Sequence, residues 1–278
     1  PVLDFNFGMT LKPGVPEDRR RACYFHPVYD LDGLVITDDF PKDHYHHRGI
    51  AWMWPGVWYG EKRVDEWHIK GVHQKFVRWL GRDAGPVCAV LGIEVGWFLD
   101  DGTRMAEEVS WYRVFRKSEA GRAIDVHYTL KALDQPVKIQ GTLAQDKGYG
   151  GFCFRYAPRT DTTITTPEGR AAKDSDRLPY PWVDFSARFA GSDSYSGAAI
   201  FVHPSHPGYP NGWTIRHYGF LGVAWPGLEI VTLDPGESFT LQYRVWIHRG
   251  DVQEGMVEAA WSEFILPPEP IADLTREK

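Results

Sequence analysis

The sequence predicts an all-β protein: one large antiparallel β-sandwich, a single domain over residues 1–278, with a short C-terminal helix. Three observations carry this reading. Apolar and polar residues alternate with a period of two in several segments, the mark of a half-buried strand. Turn residues separate those segments, and 20 prolines with 28 glycines suit many short connections. Only one stretch shows helical spacing. A single all-β unit commonly reaches roughly 250 residues, so the length fits one domain.

Along the chain, strands are expected at 34–37, 87–99, 107–116, 123–130, 137–144, 151–156, 182–189, 197–203, 213–218, 228–233 and 239–248. The alternation is clearest in two of them. Ile124, Val126, Tyr128 and Leu130 alternate with Asp125, His127 and Thr129. Phe239, Leu241, Tyr243, Val245 and Ile247 form one face of 239–248, and Thr240, Gln242, Arg244, Trp246 and His248 the other. Asp32-Gly33, Asp101-Gly102, Glu119-Ala120-Gly121 and Pro235-Gly236 supply turns. The polar stretch 158–180 reads as a long loop. A helix is expected near 253–264, where Val257, Ala260, Trp261 and Phe264 recur at helical spacing. The tail after Ile271 reads as disordered. There is no internal repeat and no linker rich in Ser, Pro or Gly.

Composition excludes several classes. The net charge of −6 argues against a nucleic-acid binder, which needs a basic face. No run of about 20 apolar residues predicts a membrane span. Cys23, Cys88 and Cys153 lie far apart without a CxxC pair and read as ordinary thiols, although one disulfide stays open. That favours a reducing compartment, cytoplasmic over periplasmic. The chain opens on Pro1, so a trimmed start is expected, and a removed signal peptide would leave no trace. The 12 Trp, 13 Tyr and 15 Phe are enough to fill a β core and still offer stacking surfaces to sugar rings.

Chemistry concentrates in two places. The first is 38–54, with Asp38, Asp39, Asp43, His44, His46, His47, Arg48, Trp52 and Trp54. Histidine serves as acid, base or metal ligand near neutral pH. An extended segment would put His44 and His46 on one face and His47 on the other; Pro41 and Gly49 suggest a turn instead. The second is 201–219, with His203, His206, Trp213, Arg216, His217 and Tyr218 around a loop stiffened by prolines. A third set, Tyr24, His26, Trp67, His68, His73 and Arg155, reads residue by residue as structural more than functional. Carboxylates able to serve the histidines include Asp43, Asp65, Glu66, Glu107, Glu108, Asp146 and Asp184, and sequence alone does not pair them. There is no GxSxG, P-loop, Rossmann glycine pattern or HExxH string. No cofactor is predicted, but the histidine cluster is compatible with a divalent metal.

The two clusters resemble the PmoA-like family, bacterial and largely uncharacterised proteins named after a methane monooxygenase subunit. The matching strings are Tyr24-Phe25-His26-Pro27-Val28, Asp39 to Ile50, Asp65-Glu66-Trp67, Gly71-Val72-His73 and Trp182-Val183-Asp184. His203-Pro204-Ser205-His206-Pro207, Trp213 to Gly219 and Leu233 to Ser238 follow in the same order. The chain departs from that family at Tyr45, Glu66, His206 and Trp225, where Pro, Phe, Asn and Asn are usual. The resemblance implies a galactose-mutarotase-like supersandwich and a carbohydrate-related role. In mutarotase-like enzymes a histidine protonates the ring oxygen and a carboxylate takes the anomeric proton.

Three functions follow as expectations. The first is a glycoside hydrolase, lyase or sugar epimerase. In it His46, His47, His44 and Asp43 are catalytic, and Arg48, Trp54, Trp67, His26, His73, Arg155, His203, His206, Trp213, Arg216 and Tyr218 bind substrate. The second is a non-catalytic carbohydrate-binding protein with the same pocket. The third is a metal-dependent oxidoreductase or hydrolase on a β-sandwich. The enzyme leads, because a binding module rarely gathers so many titratable groups. Expected partners are a small-molecule or oligosaccharide substrate and a second copy in a homodimer, but neither nucleic acid nor membrane.

Overall fold

A computed structural model describes residues 1–189 and 191–266; the tail after Ile271 lies outside the described residues. The described residues form three antiparallel sheets and one α-helix, Val257–Ile265. The nine-stranded sheet runs Gly169–Arg170, Arg159–Thr166, Trp182–Phe189, Ser196–Val202, Ser238–Arg249, Gly121–Ala132, Arg104–Phe115, Cys88–Leu99, Val72–Ala84. The seven-stranded sheet runs Leu3–Asn6, Tyr24–Val28, Ile50–Met53, Gly151–Arg155, Phe220–Ala224, Gly212–Arg216, Ser175–Pro179. A four-stranded sheet of Val231–Leu233, Val137–Gln140, Gly56–Tyr59 and Lys62–Val64 completes the fold.

The two large sheets pack face to face. Trp52 meets Tyr128 across the interface at 3.8 Å between ring centroids, and Phe152 stacks on Tyr243 at 4.8 Å. Side chains alternate between the faces of a strand, so Trp213, Ile215, Leu221 and Val223 enter this core. Thr214, Arg216 and Phe220 emerge on the other face of the seven-stranded sheet. Each fully buried apolar side chain of this size contributes roughly 1.5–3 kcal/mol. The helix lies on the outer face of the nine-stranded sheet, where Val257 and Ala260 cover Trp182, Ala199 and Phe201. Among the described residues no helix is long and apolar enough to cross a membrane.

The structure departs from the sequence-based expectations at definite places. Segment 34–37 forms no strand; Val35 and Thr37 make single bridges to Tyr29 and Tyr156. The stretch 158–180 is not a loop, because Arg159–Thr166, Gly169–Arg170 and Ser175–Pro179 lie within it. Its β-branched threonines favour extended backbone, and it reads polar because it forms exposed sheet margins. Strand 137–144 stops at Gln140, and 228–233 shrinks to Val231–Leu233. The helix starts at Val257, after a run of turns that ends with Met256 in the left-handed region at φ 50°. Tyr24–Val28, Ile50–Met53 and Phe220–Ala224 escape a search for alternation because both their faces are largely covered. The long edge strand Val72–Ala84 escapes it because Lys75, Arg78 and Arg82 keep it polar, as edges commonly are.

A polar network lies inside the sandwich. The Glu108 carboxyl, buried, accepts hydrogen bonds from Trp97 Nε1 at 2.9 Å, Gln74 Nε2 at 3.2 Å, Ser110 Oγ at 3.3 Å and Tyr128 OH at 3.4 Å. Gln74 Oε1 in turn accepts from Arg21, which is ion-paired with buried Glu66. Glu66 also accepts the Trp54 backbone N–H at 2.9 Å. Glu66 therefore has a structural role: it anchors the turn 65–71 to Trp54, just past the strand Ile50–Met53.

Burial pushes the Glu108 carboxyl up from 4.5 to about 7, against the hydrogen bonds that pull it down. A carboxyl raised in the folded state holds its proton longer than in the unfolded chain, so its stabilising contribution falls as pH rises from 4.5 to about 7. Glu108→Gln removes that titration. The stability advantage of the wild type over Glu108→Gln is expected to shrink across this window in urea titrations. A difference constant with pH would contradict the assignment.

Candidate functional site

The outer face of the seven-stranded sheet carries a pocket of about 290 Å³. The loop 38–49 contributes His44, His46 and His47. The turn after Lys62–Val64 contributes Trp67 and His68, and the loop before Gly151–Arg155 contributes Lys147 and Tyr149. Thr214, Arg216, Tyr218 and Phe220 form its base.

The histidine loop is built of turns. The His44 N–H donates to Pro41 O at 3.0 Å and the His47 N–H to His44 O at 2.9 Å. These turns bring the His44 and His47 rings face to face, 4.6 Å apart at 7°. His44 also stacks on Tyr218 at 5.0 Å, and His47 on Phe220 at 4.7 Å. His46 turns aside and meets the His68 ring at 4.7 Å. Arg48 holds the loop from within: its buried guanidinium lies over the Phe40 ring at 3.5 Å and donates to Tyr45 O at 2.8 Å, His47 O at 2.7 Å and Arg19 O.

Two aspartate–histidine pairs border the pocket. Asp43 accepts from His44 Nδ1 at 3.0 Å, and both its oxygens accept from Arg155 Nη2 at 2.9 Å. Arg155 lies under the Tyr218 ring at 4.9 Å. On the other side Asp65 accepts from His68 Nδ1 at 2.8 Å and from its backbone N–H at 2.9 Å. Burial works to raise both carboxyls, but the donors prevail and hold Asp43 and Asp65 below the usual carboxylate value. An ionised carboxylate only accepts, so each Nδ1 carries a proton, and each Nε2 accepts when its ring is neutral and donates when it is charged. Neither Nε2 is hydrogen-bonded among the described residues.

Between the pairs sit two histidines of another character. Burial, reinforced by the neighbouring histidines and arginines, lowers His46 to about 3 and His47 well below its ordinary value. His47 Nδ1 and Thr214 Oγ1 are buried without a hydrogen-bond partner, and both residues line the pocket. A buried polar group of this kind costs about 1–3 kcal/mol.

Of the residues singled out in the sequence, His44, His46, His47, Trp67, Arg216 and Tyr218 line the pocket, with Asp43 and Arg155 directly behind. Arg216 arrives already engaged by Asp176 at 2.6 Å. The others require correction. Arg48 faces the loop interior rather than the pocket. Trp54 and Trp213 are fully buried in the core, donating to Trp225 O and Tyr180 O. His26 is spent on Thr37 Oγ1 at 3.0 Å, and His73 faces Asp100 at 2.8 Å outside the pocket. His203 meets Ser205 and the helix residue Phe264, and His206 is buried against the Tyr243 hydroxyl. His68, read from sequence as structural, is a pocket residue; its position three after Asp65 in a turn was the available signal. Lys147, Tyr149, Thr214 and Phe220 carried none.

Among the described residues no group of three His, Cys, Asp or Glu is arranged to hold an ion. Nitrogen lone pairs lie in the ring plane, and the near-parallel planes of His44 and His47 do not converge.

A family model matches residues 1–262. The chain belongs to that family, a family of unknown function (DUF6807). No curated protein matches it. Two solved structures are similar to the chain at low identity. One, described as "Putative kojibiose phosphorylase from human microbiome", shares 8% identity at a TM-score of 0.41, over 95% of this chain and 29% of that one. The other, a polysaccharide lyase, shares 12% identity at a TM-score of 0.35, over 89% of this chain and 33% of that one. The chain thus spans about a third of the length of these structures.

His46 is expected to remain neutral between about pH 5 and 8, read from imidazole ¹⁵N shifts in the folded protein. A His46 titration centred near 6.5 would contradict the placement of this ring.

Proposed function

We propose that this protein is a carbohydrate-active enzyme. It acts on a sugar or glycoside, by epimerisation or glycosidic cleavage, through histidine acid–base chemistry. The observation that carries the reading is the convergence of two aspartate–histidine pairs on one pocket. A carboxylate that fixes the Nδ1–H tautomer and supports the imidazolium is the arrangement by which histidine takes up and returns a proton. One pair, neutral, accepts a proton from the substrate at Nε2. The other, protonated, donates one on the opposite side. His46 and His47, whose basicity burial removes, act as hydrogen-bond partners and not as bases. This moves the catalytic weight from His46 and His47 to His68 and His44.

A sugar suits the remaining lining. Tyr149 and Tyr218 are partly exposed aromatic rings, while Lys147 and Arg216 offer ammonium and guanidinium groups to sugar hydroxyls. The resemblance to the PmoA-like family points the same way, toward sugar chemistry on a mutarotase-like scaffold. A binding protein with this pocket would retain a sugar without turning it over.

On a substrate found by screening sugars, His68→Gln, Asp65→Asn and His44→Gln are each expected to lower kcat by ~10²–10⁴. His203→Gln, outside the pocket, is expected to leave kcat unchanged. Folded His68→Gln and His44→Gln variants that both work at the wild-type rate would overturn the reading.

A further inference from the structure

A second cavity, of about 370 Å³, lies on the outer face of the nine-stranded sheet. The histidine pocket is on the opposite side of the sandwich. Strand alternation decides the facing: Ile124, Val126 and Tyr128 enter the core, so Asp125 and His127 point outward. Trp111 stands beside His127 on the adjoining strand, and its other neighbour is Gly92. Gly81 lies one strand further out.

Those two glycines shape the site. A Cβ on Gly92 would fall 2.5 Å from the six-membered ring of Trp111, and one on Gly81 3.1 Å from it. The indole therefore lies flat on two stretches of bare backbone. Glycine weakens a strand interior, and here it permits a close approach that any side chain would block. One face of the ring is seated on the sheet. The residue is still 36% exposed, so the other face is presented outward.

Polar groups border this platform along the edge away from the two glycines. Arg113, Gln242 and His127 line the cavity, and Phe264 from the C-terminal helix also contributes to its wall. Asp125 is held by a two-point ion pair with Arg244, Nε at 2.5 Å and Nη2 at 3.0 Å, which fixes the carboxylate. An apolar partner laid over this face would desolvate Asp125, Arg113 and Arg244 without replacing their hydration, which is costly. A pyranose ring matches both features. Its C–H face stacks on the indole, and its hydroxyls reach the amide, guanidinium and carboxylate groups around it.

We propose that this cavity is a second, non-catalytic sugar-binding site that takes one pyranose unit of an oligosaccharide or polysaccharide. The nature of the occupant rests on the carbohydrate reading of the first pocket; the platform itself does not. A site on the far face would hold the protein on a polymer while the pocket works on a chain end or a neighbouring chain.

The test is affinity electrophoresis in gels containing soluble xylan, polygalacturonate, alginate or mixed-linkage β-glucan. The wild type is expected to be retarded by at least one polymer. Trp111→Ala is expected to weaken that affinity by about tenfold or more, equivalent to ~1.4 kcal/mol. Because this change also uncovers Gly81 and Gly92, Gln242→Ala serves as the second variant and is expected to weaken retardation severalfold. Trp111→Ala is expected to leave turnover of a monosaccharide or disaccharide substrate intact. Retardation unchanged in both variants, or absent with all four polymers, overturns the proposal. Turnover without any retardation would remove this site and leave the enzyme reading standing. Retardation abolished by Trp111→Ala in a protein that turns over no sugar would do the reverse.

Discussion

The guanidinium of Arg48 is the contact on which the site depends. It is fully buried, and its hydrogen bonds go to the backbone carbonyls of Arg19, Tyr45 and His47, with Asp39 at 3.5 Å and the Phe40 ring beneath it. A short polar loop has too few apolar contacts to hold a shape by packing. A buried cation that satisfies three carbonyls at once supplies the missing constraint. Three histidines then project from one scaffold in fixed directions. Arg21 performs a similar task for the facing turn, through Glu66 and the Trp52 carbonyl at 2.7 Å. Two buried arginines thus position the two walls of the pocket.

The sandwich separates these tasks. Its inner layer is aromatic and nearly closed to water, and it carries few polar groups beyond the Glu108 network. The outer face of the seven-stranded sheet is left free for chemistry. There, neighbouring histidines differ in what their Nδ1 atoms touch. His44 and His68 have an aspartate at Nδ1, which compensates an imidazolium. His46 and His47 have none and are kept neutral. On the proposed reading the four histidines divide into two roles, according to what each ring's second nitrogen touches.

Much of the fold was legible in the sequence, because a strand with one wet face writes its period into the chain. Strands 123–130 and 239–248 were visible for that reason, and the structure extends each by only one or two residues at either end. Strands covered on both faces, such as Ile50–Met53, write no period, and neither does the polar edge Val72–Ala84. The histidine cluster was legible because its members are adjacent in sequence. Its counterpart was not: His68 meets His46 only after the chain has passed through three strands, and Lys147 and Thr214 arrive from distant segments. Arg48, Trp54 and Trp213 were misread for one shared reason. Large side chains near a site are as often its foundation as its surface, and only burial tells the two apart.

The central claim is that paired histidines, without a metal, turn over a sugar. The most direct measurement follows anomeric and ring-proton NMR of mono- and oligosaccharides, including oxidised and uronic forms, incubated with the purified protein with and without chelator. Turnover of at least one sugar at the same rate in both conditions is the predicted result. Turnover that chelator abolishes, or binding of a sugar that is never converted, would contradict it.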